Sequence, residues 1–398
     1  MVDWTARYFP EPARCVVVGN VVFLSGYTGD PDAKSAEYQV VAALDKARLA
    51  METAGGSMAN IVKTFFLITS LDDYARVRKT ETEYYEKYAP QLVTTPPAAT
   101  LMVVPSLAAA GLKVQYEAIG AANRDSAKWP VKYYPEFWGG RELAYPHVPK
   151  EHAKFARSQS IGNLLIVSGC QALDHDTVKV ETSDFDAQSR IVLDKVRVAM
   201  EETGGSLANV VKTHVFIKDP AMLRRYREVE REFFRVHARA FLDGPPASTV
   251  FVMTELPRRE FLIEVEAFGL ADAQASGWTT RHSAGAVSTG NLLFLSGCDG
   301  SAGAASAPRL VDQQIVAAFD KLRLAMERAG SSMTKLIKTT VMLRNRDDYA
   351  TMRAIELAYY RQHAPQLLVT PPASTFMQVP AIGDDPDTQF QIDAIGVM

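Results

Sequence analysis

The sequence predicts an α+β protein made of three tandem domains, and one repeated stretch carries most of that prediction. A short buried strand that runs into a Ser-Gly turn occurs at residues 21–29, 164–172 and 292–300. Each copy opens the same order of strand, helix, strand, helix and two further strands. The period is about 130 residues, whereas solenoid repeats have periods of about 20–50. We therefore predict three whole domains, at residues 1–124, 125–273 and 274–398.

In the first repeat, each element has its own signal. Val41, Leu44, Ala47 and Met51 fall at helical spacing after Gln39, and Gly55-Gly56 ends that helix. A strand rich in β-branched and aromatic residues follows at 60–68, and a second helix spans 74–88 before Pro90. The alternating stretch 114–121 is predicted to be the closing strand. The other two repeats show the same elements in the same order.

The composition excludes several classes of protein. The 398 residues are 47% hydrophobic and 22% charged, as in soluble globular proteins. The net charge of -3 gives no reason to expect nucleic acid or an acidic membrane as a partner. No apolar run approaches the roughly 20 residues that span a bilayer, and the first residues do not resemble a signal peptide. Three distant cysteines favour free thiols, so we expect a cytoplasmic protein.

The repeats differ most at residues 128–152, which have no evident counterpart elsewhere in the chain. This stretch holds six aromatic residues, several prolines and a Gly-Gly pair. One interpretation is a linker whose aromatic side chains pack on a neighbouring domain. The other is a lid over a site, since long loops in compact domains are often functional.

The triplicate motifs together resemble the reactive intermediate deaminase (Rid, or YjgF) family. The motifs are the Ser-Gly turn, a Gln that opens the first helix, a (Val/Ile)-Lys-Thr strand, Pro-Pro-Ala-(Ala/Ser)-Thr, and a closing acidic-Ala-(Ile/Phe)-Gly. The resemblance implies a chorismate-mutase-like fold that assembles as a trimer, with a central β-barrel, helices outside and ligands in the clefts between subunits. This chain would then be a covalent pseudo-trimer, either a monomer or a low oligomer. Cyclic closure would cover the second face of each sheet.

The resemblance also assigns candidate catalytic residues. The closing strands carry Glu117, Glu266 and Asp393 at matched positions, where a family glutamate faces the cleft and handles the attacking water. An acid within an apolar strand is costly unless it is paired or functional. The alternative is a solvated acid at a sheet edge.

One family feature is missing from all three repeats. Typical family deaminases hold the substrate carboxylate with an arginine after Pro-Ala, but Ala99, Ser248 and Ser374 occupy that position here. Arg14 and Arg157, near the start of repeats one and two, are candidate substitutes. A second set recurs on the second helix with a glutamate three residues later, and such pairs are more often solvent-facing: Arg78, Arg227 and Arg353.

The Ser-Gly turns complete the predicted substrate-binding set, because their backbone N–H groups would face the ligand. The residues are Ser25, Gly26 and Tyr27, then Ser168, Gly169 and Cys170, then Ser296, Gly297 and Cys298. The turn alone would also explain the glycines. Neither a metal-binding motif nor a phosphate-binding loop is evident, so we expect no metal and no cofactor.

The leading hypothesis is therefore a metal-independent hydrolase or deaminase that acts on a small imine, enamine or related conjugated intermediate in an interdomain cleft. Its three clefts are expected to be unequal. A non-catalytic small-molecule binder or protein-interaction scaffold is the alternative from another class. A second alternative is a cyclic-amide hydrolase, whose domains each pair a lysine with a serine; Lys63, Lys212 and Lys338 recur here.

Overall fold

The computed structural model describes residues 4–135, 137–138, 141–142, 155–174, 179–301 and 310–398. Repeat one forms a seven-stranded sheet with the order β1-β2-β3-β7-β5-β6, and β4 pairs with β7. Its elements are β1 (Ala6–Phe9), β2 (Cys15–Val18), β3 (Val21–Leu24), β4 (Tyr27–Thr28), α1 (Ala36–Thr53), β5 (Ile61–Ile68), α2 (Tyr74–Tyr88), α3 (Gln91–Thr94), β6 (Ala98–Val103) and β7 (Val114–Ala121).

Repeat two forms a six-stranded sheet with the order β16-β15-β17-β12-β11-β8, and two short hairpins. Its elements are β8 (Val131–Pro135), β9 (Phe137–Trp138), β10 (Arg141–Glu142), β11 (Ala156–Ile161), β12 (Leu164–Gln171), β13 (Leu173–Asp174), β14 (Lys179–Val180), α4 (Phe185–Glu202), β15 (Val210–Ile217), α5 (Leu223–His237), β16 (Ala247–Val252) and β17 (Ile263–Leu270).

Repeat three forms a seven-stranded sheet with the order β18-β19-β20-β24-β22-β23, and β21 pairs with β24. Its elements are β18 (Thr280–Ser283), β19 (Ala286–Thr289), β20 (Leu292–Leu295), β21 (Cys298–Asp299), α6 (Val311–Arg328), β22 (Leu336–Leu343), α7 (Tyr349–His363), β23 (Ala373–Gln378) and β24 (Phe390–Val397). In every repeat the strand after the first long helix pairs parallel with the Pro-Pro-Ala strand and antiparallel with the closing strand.

The three sheets stay separate, so the single closed central barrel implied by the resemblance is not formed by the described strands. Their faces nevertheless pack together. One buried cluster combines Phe23 of repeat one with Phe268 of repeat two and Phe294 of repeat three. Each sheet therefore packs its helices on one face and the neighbouring repeats on the other.

The first helix of repeat one shows how the sequence sets an element. The Ser35 hydroxyl caps α1 by accepting from the Tyr38 N–H. The buried face holds Leu44, Ala47 and Met51 as predicted, but Val40 takes the place expected for Val41, which is 39% exposed. The helical period of 3.6 residues allows either valine near that face, and contact with the sheet selects Val40.

Three tryptophans join the repeats at their first strands. Trp4, Trp129 and Trp278 pack edge to face with ring centroids 4.9, 4.9 and 5.5 Å apart. Trp129 lies two residues before β8, which pairs with β11 as β1 pairs with β2 in repeat one.

This placement corrects the prediction for residues 128–152. The stretch begins with a counterpart of the first strand, because Trp129 matches Trp4 and Trp278. Sequence comparison missed this match because the residues that follow each tryptophan differ. Residues 136, 139–140 and 143–152 lie outside the described residues, and the lid interpretation falls largely on them.

Within the described ranges, no helix is long and apolar enough to cross a membrane.

The tryptophan cluster predicts a large stability cost for Trp278→Ala. Trp278 is buried in the core that the repeats share, so truncation leaves a cavity there and should cost about 3–5 kcal/mol in the free energy of unfolding. Chemical denaturation followed by circular dichroism measures this. Tyr38→Ala is the control, since Tyr38 is 74% exposed and should change stability little. Equal stabilities of the two variants would contradict the cluster's role.

Candidate functional site

Each Ser-Gly turn contacts the Pro-Pro-Ala strand of the preceding repeat. The Ser168 hydroxyl accepts from the Ala99 N–H at 2.9 Å. The same contact joins Ser296 to Ser248 at 3.1 Å and Ser25 to Ser374 at 3.0 Å. The turns therefore contact the three positions at which the family arginine is absent. These contacts lie in three clefts, between repeats one and two, two and three, and three and one.

The one–two cleft contains internal space. Two small cavities there have Arg78 and Ala99 of repeat one and Phe155 of repeat two as shared walls. Ser168, Gly169 and Gln171 line one of them from the repeat-two side. The predicted turn residues of repeat two thus line one of these two spaces, each of which measures ≈ 20 Å³ and has room for about one water-sized group.

Three buried polar atoms of this cleft lack a hydrogen-bond partner among the described residues: Thr64 Oγ1, Arg78 Nε and Glu264 Oε1. The reason for Thr64 is local. Thr213 and Thr339 donate to the hydroxyls of Ser248 and Ser374 at 3.0 Å, whereas Ala99 has no hydroxyl to accept. Buried polar groups without partners cost free energy, and a polar ligand would satisfy them.

Glu264 is a candidate site residue that the sequence analysis did not single out. It lies on β17, two residues before Glu266, and is completely buried. Gln171 Nε2 donates to its Oε2 at 2.6 Å. Gly169 has to be glycine here because a Cβ at that position would overlap Glu264 Oε1. Burial raises the pKa of Glu264 to about 8, so the carboxyl keeps its proton at neutral pH.

The signal for Glu264 in the sequence was a difference between repeats. Gln115 and Gln391 occupy the equivalent positions on β7 and β24. Glutamine cannot exchange a proton near neutral pH, so among these positions only Glu264 offers acid–base chemistry. A search for residues that recur in all three repeats passes over it.

Arg78 contradicts the expected solvent-facing helix pair. Its side chain is buried, and Nη1 lies 2.7 Å from Glu81 Oε2. The guanidinium lies over the Phe155 ring at 4.6 Å. Burial acts to lower the pKa of Arg78, but the charge of Glu81 outweighs it and raises that pKa. The arginine stays charged in the cleft.

The other helix arginines also lie at clefts. Arg227 Nη2 donates to Ser248 Oγ at 3.1 Å, so it reaches the position where the family arginine is absent. Arg353 pairs with Glu356 as Arg78 does with Glu81. The Arg227 and Arg353 side chains are 38% and 37% exposed, compared with 3% for Arg78. Only Arg78 of these three is enclosed.

The predicted catalytic acids form ion pairs between repeats. Lys63 lies 2.6 Å from Glu266 and Lys338 lies 2.8 Å from Glu117, and Lys212 pairs with Asp393. Each lysine belongs to the repeat before its acid. Burial acts to raise the pKa of Glu266, but Lys63 and His214 outweigh it and hold that pKa at about 2. Each of the three acids therefore lies in a buried ion pair that joins two repeats.

The recurrent lysines of the cyclic-amide alternative are not exposed to solvent. All three are buried, and each donates to a threonine hydroxyl on the neighbouring strand: Thr100, Thr249 and Thr375. Burial lowers the pKa of Lys212 and Lys338. The carboxylates of Asp393 and Glu117 oppose that lowering for Lys212 and Lys338 respectively.

His214 joins two of these ion pairs. Its Nδ1 lies 2.7 Å from Glu266 Oε1 and its Nε2 lies 3.3 Å from Asp393 Oδ2. Burial acts to lower the pKa of His214, but the carboxylates of Asp393 and Glu266 outweigh it and raise that pKa. Phe65 and Thr340 occupy the equivalent positions, so this link is specific to repeat two.

The two predicted anchoring arginines lie apart from the one–two cleft cavities. Arg14 has a positive φ of 48° and lies 3.2 Å from Glu11, with a side chain 42% exposed. Arg157 pairs with Glu202 and lines a larger cavity in repeat two, together with Cys170. Tyr27 is buried and donates to the Ala13 carbonyl, and Cys298 lies in the core of repeat three.

Comparison with known proteins agrees with the internal repetition. The family model described as Endoribonuclease L-PSP matches residues 8–122, 146–271 and 273–398. A RutC family protein of Sulfurisphaera tokodaii is 32% identical over 29% of this chain and 87% of its own length. The 2-iminobutanoate/2-iminopropanoate deaminase of Escherichia coli is 28% identical over 33% of this chain and 97% of its own length.

Among solved structures, the YjgF gene product of Escherichia coli is 27% identical, with a TM-score of 0.26. The match covers 29% of this chain and 87% of that protein.

The His214 contacts predict a stability that depends on pH. A raised folded-state pKa means that His214 stabilises the fold fully below its ordinary pKa of about 6.5, and that this contribution disappears as pH rises through the folded-state value. His214 lines a small cavity to which all three repeats contribute, and the charged residues around it are Lys63, Glu117, Glu266, Lys338 and Asp393, with Lys212 behind Asp393.

We therefore expect His214→Phe to lower the melting temperature most at about pH 5.5 and least at about pH 8.5. Phenylalanine is the residue at this position in repeat one. His282→Phe is the control, because His282 lies at the surface. A loss of stability that grows with rising pH would show that the ring does not act through its charge.

Proposed function

Because the chain belongs in three successive domains to the Rid/YjgF family, whose model is described as Endoribonuclease L-PSP, we propose that it hydrolyses a small imine or enamine in the one–two cleft. The observation that carries the proposal is Glu264, a completely buried carboxyl with a raised pKa and an oxygen that lacks a partner among the described residues. The name of the Escherichia coli relative, an imine deaminase, supports the reaction class.

Imine hydrolysis converts a C=N bond and water into a C=O bond and ammonia. Protonated Glu264 donates a proton to the imine nitrogen, and its carboxylate then accepts a proton from the water that attacks the carbon. The same carboxyl returns that proton to the amine nitrogen and takes the hydroxyl proton, so ammonia leaves as the carbonyl forms. A pKa near 8 suits a group that must both donate and accept.

Arg78 is proposed to hold a carboxylate of the substrate. Its Nε has no partner among the described residues, and Arg78 lines one cavity together with Gly169 and Gln171. A guanidinium binds a carboxylate through two parallel hydrogen bonds. Stacking on Phe155 orients it, so a helix arginine would replace the strand arginine that is absent at Ala99.

We further propose that the three repeats close as a pseudo-trimer, which exists as a monomer or low oligomer in the cytoplasm. Three equivalent serine contacts and three equivalent ion pairs, each between successive repeats, support the closure. Gln115 and Gln391 make the other two clefts unsuited to acid–base catalysis. These two clefts are where the alternative, a non-catalytic binding function, would apply.

We predict that Glu264→Gln lowers kcat for imine hydrolysis by about 10²–10⁴-fold, because glutamine cannot exchange the proton. Wild-type kcat/KM should fall as pH rises through about 8, where Glu264 loses its proton. Imines generated in situ and trapped competitively with semicarbazide provide the assay.

Glu264→Gln should also change stability with a defined sign. A carboxyl whose folded-state pKa is raised from 4.5 to about 8 destabilises the fold progressively between those values. Glutamine does not ionise, so the variant should gain melting temperature over the wild type from about pH 5 to pH 9.

Glu266→Gln on the same strand is the matched control. It leaves Lys63 buried beside a neutral partner, and breaking a buried pair costs about 3–5 kcal/mol. We expect it to lower stability and to affect rate much less than Glu264→Gln. If Glu266→Gln instead abolished turnover at an unchanged melting temperature while Glu264→Gln stayed active, the closing-strand acids would be the catalytic residues.

Arg78→Lys should raise KM for a carboxylate-bearing imine by about 10-fold or more, since lysine loses the bidentate geometry. An imine without a carboxylate should show a much smaller change in KM. Arg227→Lys in the two–three cleft is the matched control and should leave both values close to wild type. Equal effects of Arg78→Lys on the two substrates would contradict a carboxylate-binding role.

A further inference from the structure

Repeat two contains a cavity of ≈ 660 Å³, which lies between its sheet and its two long helices. Ligand pockets typically enclose about 300–1,000 Å³, so this space can hold a substantial group. Part of its lining is apolar and comes from Leu173, Ile191, Val198 and Phe233.

Two residues that line the cavity, Cys170 and Phe233, differ from their counterparts in repeat one. Tyr27 of repeat one is buried and donates to the Ala13 carbonyl, whereas the matching Cys170 is far smaller. Tyr84 and Tyr359 each donate to an aspartate of the first helix at 2.7 Å, whereas Phe233 in their place has no hydroxyl. One change provides volume and the other makes a wall apolar.

The cavity adjoins the proposed catalytic carboxyl. Gly169 and Gln171 line both this cavity and the one–two cleft. Gln171 donates to Glu264 Oε2 at 2.6 Å, and Glu264 Oε1 lies against Gly169. The Gly169 backbone, the Gln171 side chain and the Glu264 carboxyl lie between the two spaces.

We propose that this cavity receives the side chain of the substrate, and that the substrate is a 2-imino acid with a large apolar side chain of aromatic size. The inference rests on the proposed imine hydrolysis in the one–two cleft. The carboxylate lies at Arg78, the C=N group lies at Glu264, and the side chain extends past Gly169.

The charges of the cavity favour an uncharged occupant. Arg190 pairs with Glu232 at 3.2 Å, and Arg157 pairs with Glu202. Lys195 donates to the carbonyls of Gln171 and Leu173 at 2.8 and 2.6 Å. Charged residues that are already paired gain little free energy from contact with a charged substrate side chain. An apolar substrate side chain is stabilised when it leaves water and enters the cavity.

The experiment compares imines generated by an amino-acid oxidase from phenylalanine and from alanine. We expect wild-type kcat/KM to be higher for the phenylalanine-derived imine. Cys170→Tyr restores the residue of repeat one and should lower the phenylalanine-to-alanine ratio by at least about 10-fold. Val198→Phe fills the cavity from another wall and should lower the ratio in the same direction. Cys298→Tyr, the matched change in repeat three, should keep the wild-type ratio.

Calorimetric titration with phenylpyruvate and pyruvate gives a readout without turnover. Phenylpyruvate should bind wild type more tightly than pyruvate does, and Cys170→Tyr should remove that preference. If neither imine is hydrolysed but this preference is found, imine hydrolysis is wrong and binding of an aromatic side chain in the cavity stands. If both imines are hydrolysed and folded Cys170→Tyr and Val198→Phe keep the wild-type ratio, the cavity proposal is overturned.

Discussion

The three buried lysine–carboxylate pairs constrain the whole arrangement. Each pair takes its lysine from one repeat and its acid from the next: Lys63 with Glu266, Lys212 with Asp393, and Lys338 with Glu117. A buried charge without its partner costs several kcal/mol, so no repeat can bury its closing strand without a neighbour. The tryptophan cluster and the shared apolar core then add packing at the same interfaces.

The same constraint fixes the clefts, because the strands that carry the charged pairs also carry the cleft residues. Thr100 lies next to Ala99, and Glu266 lies two residues from Glu264. A strand held by its ion pair therefore also holds its cleft side chain. Tandem duplication in one chain lets these side chains differ, as they do at Ala99, Ser248 and Ser374. Identical subunits could not place a glutamate in one cleft and glutamines in the other two.

The one–two cleft differs from the other two clefts in how many of its buried polar atoms have hydrogen-bond partners. Serines at 248 and 374 pair with their neighbouring threonines, and glutamines replace the acid, so these clefts contain fewer ionisable groups. In the one–two cleft, Ala99 leaves Thr64 without a partner among the described residues, and burial keeps Glu264 protonated. Strongly shifted ionisable groups beside unpaired polar atoms are typical of sites that bind and react, rather than of packing interfaces.

The sequence by itself determined the three repeats, most helices and strands, the closing strand 114–121, the Ser-Gly turns and the missing arginine, because periodicity and turn residues act locally. It could not decide which acid is paired. Glu264 and Glu266 lie on one face of one strand, and contacts from other strands distinguish them: Lys63 and His214 pair with Glu266, whereas Gln171 donates to Glu264. Likewise, Arg78 matches a solvent-facing helix pair in sequence until Phe155 of the next repeat covers it. Burial and neighbouring charge arise from residues far apart in the chain, so tertiary structure alone sets them.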